Sequence, residues 1–544
     1  MSRSLFFLCG LLSLSLGERG WPHQSFQTGK WQPPCLNLTK TGETASGHIF
    51  IGVRKYKQAG NAPTIFDTNG DMVWQGPHGE NLDFKVQRLF GQNVITYWDG
   101  QPDDRVLGYG STHILDNSYK EIYTVTLNDD FQTVSGKRFD SYIDGHEHYI
   151  TSENTLLVSA VNFTQTDTSH FERGRPDTWV IDSLFYEVDI KTNNILFKWA
   201  ALEHIPISKT KLDMKGGRNL IDAWDAYHIN SVTPTRYGYL VNFRHISSAF
   251  YINKNGSVRW ELSVSISNRD HVAFVVYLAA GIYLLTRCFF KGDNDGGGDF
   301  KSENIKFAWQ HDIRVYNETD EALVLSLMNN DALENQDEGP STGLVVYVDL
   351  VNKKAWRTHK LTDPTDKVVS ATQGSFQFLP YPRTEHVLVG YGSIPKLKEY
   401  DKDGNVVLRG QFGNNAFEAN AYRIFKFPWN ATPYWDPVLV VNHTTESTTD
   451  VYMSWNGATD YDNWAIFSVR SETSTLWEGE FLLAQERNGF ESHVSLQNVD
   501  AKFIFAVARD GQKILGKSSV VEYSVCFLHS PKGRLQGLNV DNHE

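Results

Sequence analysis

The sequence predicts an all-β chain and, within that class, a six-bladed β-propeller. Two observations set the class. Apolar and polar residues alternate over runs of about four to eight positions, broken by Gly, Asn, Asp and Pro, as half-buried strands and turns require. No long stretch keeps a helical period. A third observation sets the architecture, because one hairpin unit recurs. Asp67-Thr68-Asn69-Gly70, Asn253-Lys254-Asn255-Gly256 and Asp401-Lys402-Asp403-Gly404 each supply a tight turn with Gly where φ must be positive, and each leads into a strand ending on Trp74, Trp260 or Leu408. Looser copies end at Trp199, Trp356, Trp477 and Leu515, with one more near 126–134, so that most intervals are about 50–70 residues. Units of a few strands at that period fit blades, which deal with exposed sheet edges by circular repetition. Five or seven blades also fit the spacing, and a pair of β-sandwiches is the alternative that leaves the spacing unexplained.

The N-terminus reads as a secretory signal peptide over 1–17: a cation at Arg3, an apolar run over 5–16, and small residues at Ser15 and Gly17. The run is short of the roughly twenty residues that span a bilayer, so 18–544 is expected to be a secreted single propeller domain. Six N-x-[ST] sequons, at Asn37, Asn162, Asn255, Asn317, Asn430 and Asn442, agree with export and glycosylation. Cys9 leaves with the signal peptide, so the mature chain keeps Cys35, Cys288 and Cys526. A Cys35–Cys526 bridge would staple the first segment to the last, as closing a ring requires, and Cys288 is then the odd one out.

Cys288 lies beside a second anomaly. Residues 272–286 are uncharged and mostly apolar, too short for a spanning helix and hazardous as an exposed edge strand. The interval from Trp260 to Trp356 is also 96 residues, out of line with the others. Codons for Val264-Ser265, Leu285-Thr286 and Phe289-Phe290-Lys291 permit a splice donor, a branch point and an acceptor tract. Excising 264–291 restores the interval in frame, which predicts a retained intron. A true insertion, or a helix packed outside the body, is the alternative.

Lys+Arg 51 against Asp+Glu 64 gives a formal charge of −13, which argues against a nucleic-acid partner needing a basic face. Aromatic residues at 13% and charged residues at 21% argue for a large core and against disorder. There is no Gly-rich phosphate loop followed by Lys-Ser/Thr, no Cys-rich zinc spacing and no G-x-S-x-G elbow, and Asp401–Asn405 reads as a hairpin turn rather than a calcium loop. No cofactor and no metal is expected.

In a propeller, equivalent positions on the innermost strands converge on the axis. Three candidate inner strands open with histidine: His148, His228 and His311, each followed by a turn and a returning apolar strand. Arg244, on the strand returning from His228, could clamp an anion through its guanidinium. His245 alternates to the other face of that strand and is expected to be structural.

These residues resemble the arylsulfotransferase family in its secreted eukaryotic branch. The resemblance covers about 45–440, through AYHINSV (226–232), FRHISSAFYINKNGSVRWEL (243–262), QHDIRVYN (310–317), LVGYGSIPKLKEYDKDGNVVL (388–408) and YRIFKFPW (422–429). It implies a six-bladed propeller that moves a sulfuryl group from an aryl sulfate to a phenolic acceptor without a nucleotide donor. His311 would be the nucleophile, forming a sulfo-histidine, with His228 as second histidine and Arg244 as sulfate-binding arginine. His148 takes a further histidine position, with His146 two residues away on the same strand face and a candidate for substrate binding. The blade after His311 departs from the pattern, offering Gln373 and Gln377 in place of a histidine. The chemistry suits these residue types: an imidazole nucleophile divides one transfer into two, a loose sulfuryl transition state rewards positioning and charge, and an imidazole titrating near neutrality serves as acid and base. The rival reading is an extracellular propeller that binds an anionic or phenolic ligand in its axial channel without turnover. A quinone-cofactor propeller oxidoreductase is a third.

Overall fold

Strand-forming alternation and Gly-centred turns leave this chain almost no helix. A computed structural model describes residues 20–56, 60–102, 107–134, 136–263, 298–330, 340–379, 385–445 and 448–523, with the backbone of Val272–Tyr277 and Tyr283–Cys288. The protein is all-β, built of many small antiparallel sheets. No helix among the described residues is long and apolar enough to cross a membrane.

The described residues fall into two compact units, where one domain was expected over 18–544. The first, reaching Tyr434 with a few outlying segments, contains six large sheets among its described residues, four of four strands and two of five. In chain order their first strands are Leu82–Leu89, His148–Ile150, Ile229–Thr235, His311–Glu318 and Ser375–Phe378; the sixth sheet draws Ile424–Phe427 from late in the chain and its other three strands from His48–Gln75. Lys301–Glu303 adds a parallel edge to the fourth of these sheets and Asn37–Lys40 an antiparallel edge to the fifth.

The six sheets neighbour one another in a closed order, at five junctions through their first strands. Leu82–Leu89 touches His148–Ile150 on one side and Ile424–Phe427 on the other. Ile229–Thr235 touches His311–Glu318, which touches Ser375–Phe378, which touches Ile424–Phe427. The remaining junction, between the second and third sheets, runs through Thr155–Thr166. Apolar cores lie between successive sheets: one joins Leu82, Trp98 and Ile114 to Leu156 and Tyr186, the next joins Phe185 and Trp199 to Val241 and Phe250, and a third joins Tyr251 and Trp260 to Leu325 and Val346.

The recurring hairpin has a physical reason. Trp74, Trp199 and Trp260 lie buried on the last strands of their sheets, and Trp199 donates its indole N–H to Gly256 O, in the hairpin turn of the following sheet, at 2.9 Å. Three copies differ from expectation. The hairpin expected near 126–134 is Asp116–Lys120, because Glu121–Val125 is already the last strand of its sheet. Trp477, 90% exposed, and the Leu515 hairpin belong to the second unit, which holds the sheets around Thr448–Ser454 and Asn463–Val469.

The expected insertion has described ends. A Cβ on Gly298 would lie 2.7 Å from the Ser263 nitrogen, and Asp299 exchanges hydrogen bonds with Glu261 through N–H to O at 2.9 Å and Oδ2 from N–H at 2.7 Å. The chain therefore leaves and returns at one point. Among the described residues, Val272–Tyr277 pairs only with Tyr283–Cys288. Residues 1–17 and Cys526 lie outside the described residues; Cys35 is buried.

Candidate active site

The first strands all begin at the same end of their unit, and left-handed residues sit at several of these starts: Asp83, His228, Asp312 and Gln373 have φ of 55°, 57°, 55° and 66°. Register shifts accompany them between Leu82 and Lys85, Ile229 and Ser231, and His311 and Arg314. Such bulges re-aim side chains, so simple alternation fails where the histidines lie.

His311, buried, opens its strand. Its Nδ1 is 2.7 Å from Asn330 Oδ1. The Asn330 amide nitrogen is committed to Ser370 O at 2.9 Å and Gln373 O at 2.8 Å, which leaves Oδ1 as the end facing the ring. Nδ1 therefore carries the proton and Nε2 the lone pair. The Gln373 N–H donates to that Nε2 at 3.2 Å. Burial, and then the nearby Arg244 charge, hold the His311 imidazole well below the ordinary histidine range, so it is neutral at pH 7.

His228 and His146 each hang on a preceding carboxylate: His228 Nδ1 is 2.6 Å from Asp225 Oδ2, and His146 Nδ1 is 2.7 Å from Asp144 Oδ2. The His146 and His228 rings meet edge to face at 4.8 Å, and Tyr422 lies 5.4 Å from His146. Arg244 donates from Nη1 to His245 Nε2 at 2.7 Å and from Nη2 to Ala371 O at 3.3 Å, with its guanidinium 4.8 Å from the Trp309 ring centre. His245 donates from Nδ1 to Asp225 O at 2.6 Å, and burial keeps it neutral. The structure thus brings His311, His228, Arg244, His146 and the Gln373 backbone together.

Three expectations need correction. His148 does not join this group: Nε2 meets Thr96 Oγ1 at 3.1 Å and Nδ1 lies 3.6 Å from Asp83. The strand starts only at His148, so His146 belongs to the preceding turn and the two rings diverge. Gln377 is elsewhere too, its side-chain amide clasping the Lys426 backbone at 2.7 and 2.9 Å. His245 stands in the cluster, holding Arg244, because the strand ends at Phe243 and both residues lie in a turn.

Sequence reasoning passed over Asp144, Asp225 and Asn330. The first two were legible as carboxylates two and three residues ahead of a histidine. Asn330 was not, since it reaches His311 from the far end of the returning strand. Asp225, His228 and His245 bring ligand-type atoms within 4.8 Å of one another. Both ring nitrogens of His245 are committed, one to the Arg244 guanidinium, so the three are bonded to each other rather than arranged about a cation.

The residues next in sequence form a second layer. Arg423, fully buried, reaches Asp83 at 2.8 Å, Glu147 at 3.3 Å and Asp312 at 3.3 Å. Lys85 binds Asp83 at 2.6 Å and Glu147 at 3.2 Å; Arg314 binds Glu147 and Asp312, each at 2.7 Å. Against the opposing effect of burial, Arg314, Arg423 and Lys85 hold the Glu147 carboxyl well below the usual carboxylate range. Three cations thus meet three carboxylates, and His148, kept neutral by burial and then by Lys85, completes the layer.

The profile of the family described as arylsulfotransferase (ASST) matches residues 85–268 and 290–413, more than half of the chain. The chain belongs to the arylsulfotransferase family. The match spans His146, His228, Arg244, His311 and Gln373, and skips 269–289, inside the segment that leaves and returns at one point. Membership supports a sulfotransferase-type function on small aryl substrates. No curated protein matches this chain. Solved structures similar to it include a Dyadobacter fermentans protein of unknown function (9% identity, 77% of this chain and 95% of that one, TM-score 0.26). A mutant of the GH43 protein BlXynB from Bacillus licheniformis gives 8%, 90% and 91%, with TM-score 0.31. These likenesses are too weak to bear on fold or activity.

Proposed function

We propose that the six sheets are the blades of a six-bladed propeller, and that the chain is a secreted, nucleotide-independent sulfotransferase working through a sulfo-histidine on His311. The closed order of sheets and the cores between successive sheets support the architecture. The observation that carries the chemistry is the fixed tautomer of His311: a buried, neutral imidazole whose Nε2 lone pair lies beside a guanidinium and two carboxylate-held histidines.

Nε2 attacks the sulfur of an aryl sulfate; the N–S bond forms as the S–O(aryl) bond breaks, and the phenolate leaves. His228 or His146 delivers a proton to that oxygen, and Asp225 or Asp144 supports the imidazolium that gives it. Arg244, held by His245 and Trp309, neutralises the sulfuryl oxygens. Asn330 Oδ1 takes the Nδ1–H of the positively polarised ring, and the Gln373 N–H, released from Nε2, is placed to meet a sulfuryl oxygen. An acceptor phenol then gives its proton to the same histidine and takes the sulfuryl group, restoring His311.

Secretion is supported by the leader-like first 17 residues and by the exposure of Asn37, Asn255, Asn317, Asn430 and Asn442; Asn162 is half-buried, its Oδ1 accepting the Gln132 N–H at 2.8 Å. Residues 264–291 are proposed to be a retained intron.

The test is acceptor-dependent release of p-nitrophenolate from p-nitrophenyl sulfate by secreted chain lacking 264–291, beside His311→Ala. Release that needs added phenol, stops in the variant and leaves one sulfuryl group on the His311 peptide supports the reading. A folded chain that releases nothing with a range of phenols is a binding propeller instead.

A further inference from the structure

The first strands run away from the histidine cluster through the ionic layer and end at a large cavity. It encloses about 760 Å³ and takes its walls from the far ends of five of the six first strands. From His311 to Tyr316 is five residues, roughly 17 Å at about 3.3 Å per residue. The volume lies in the range of about 300–1,000 Å³ that small organic ligands occupy.

The lining has a definite character. Tyr149, Tyr316, Phe376, Phe378 and Phe427 present rings, Tyr316 and Phe378 packing at 4.0 Å and Phe376 and Phe378 at 5.2 Å. Tyr316 is 60% exposed, a large aromatic surface left open to an occupant. The floor is the ionic layer, from which Lys85, Arg314 and Asp312 reach the cavity. Those charges are already balanced, as Lys85, Arg314 and Arg423 face Asp83, Glu147 and Asp312. Arg88 is the remaining charged side chain in the lining, exposed on the strand Leu82–Leu89. A neutral floor with aromatic walls and one surplus cation at the mouth selects a ligand by ring area and a single negative charge.

We propose that this cavity is a second binding site, separated from the histidine cluster by the ionic layer, for an aromatic monoanion. The inference does not depend on sulfuryl transfer, since none of its lining residues belongs to the proposed reaction. Its probe is 2-naphthoate, a carboxylate with no sulfuryl group to give, titrated calorimetrically into the folded full chain. One saturable site is expected, at least ten-fold weaker in Arg88→Glu and at least five-fold weaker in Tyr316→Ala, and within two-fold of wild type in Arg244→Gln. Both lining residues are exposed, so the melting temperature checks that each variant folds, and either one suffices if the other does not. The proposal is overturned by the absence of saturable binding, by affinity indifferent to both lining variants, or by loss in Arg244→Gln, which would put the probe among the histidines. Equal or tighter binding of the cation 2-naphthylmethylammonium would overturn the charge assignment.

Discussion

Asn330 offers the sharpest test of how His311 is prepared. Replacing it with Ala removes three hydrogen bonds: the acceptor for His311 Nδ1–H at 2.7 Å and the donors to Ser370 O and Gln373 O at 2.9 and 2.8 Å. At about 1 kcal/mol each, the loss of stability is about 3 kcal/mol. The larger effect falls on turnover, because the ring loses both its fixed tautomer and its aim, and misplacement of a reacting group by about 1 Å costs roughly 100-fold. Asn330→Ala should therefore lower kcat about 100-fold in p-nitrophenyl sulfate turnover while KM stays within about three-fold. Asn330→Asp separates chemistry from scaffolding. A carboxylate against Nδ1 favours the imidazolium and raises the His311 pKa. The reacting form is the neutral ring, so the acid limb of the rate profile should move to higher pH. An unshifted profile in Asn330→Asp, with kcat intact in Asn330→Ala, would refute the assignment of tautomer and nucleophile together.

Four further outcomes are expected. Arg423→Met strands Asp83, Glu147 and Asp312 around a missing cation and should cost about 3–5 kcal/mol in urea unfolding; a change under about 1 kcal/mol would mean the layer is not a coupled network. Deleting 264–291 leaves six residues, 292–297, to link Ser263 and Gly298, which already lie in contact, so the melting temperature should hold to within about 3 °C, and a collapse in yield of folded chain would show the segment to be structural. His146→Ala should abolish most turnover while His148→Ala spares it and lowers stability, and the reverse ranking would restore His148 to the site. His148, His245 and His311 all have pKa values lowered chiefly by burial. The unfolded chain therefore binds protons more readily, so stability is complete above about pH 6.5 and falls as pH drops below it, by about 1.4 kcal/mol per pH unit per group. Urea unfolding at pH 7.0 and 5.5 measures this, and equal stabilities would contradict it.

The all-β class and the repetition of small antiparallel sheets were readable because alternation and the Gly-centred hairpin are local. Trp74, Trp199 and Trp260 each mark a last strand, and their spacing is the spacing of sheets. The second unit was not readable, since Trp477 and Leu515 close hairpins of the same local chemistry in a different assembly. His311 and His228 fall together as the strand-opening pattern suggested, while Arg244 joins them from the turn after the strand that returns from His228 rather than from that strand. The exchange of His148 for His146 turns on where one short strand begins, and His245 on a turn starting one residue after Phe243. Neither boundary is marked by the alternation that reveals the strands themselves.

That one sheet takes Ile424–Phe427 from late in the chain and its other strands from His48–Gln75 bears on biosynthesis. While the ribosome works through the intervening residues, the early strands wait with an open edge, and Asp83, Lys85 and Glu147 lack the guanidinium of Arg423. Neither the last sheet nor the ionic layer can close until residue 427 has left the exit tunnel. A premature stop anywhere upstream thus yields a chain whose strand His48–Val53 keeps an unpaired, sticky edge.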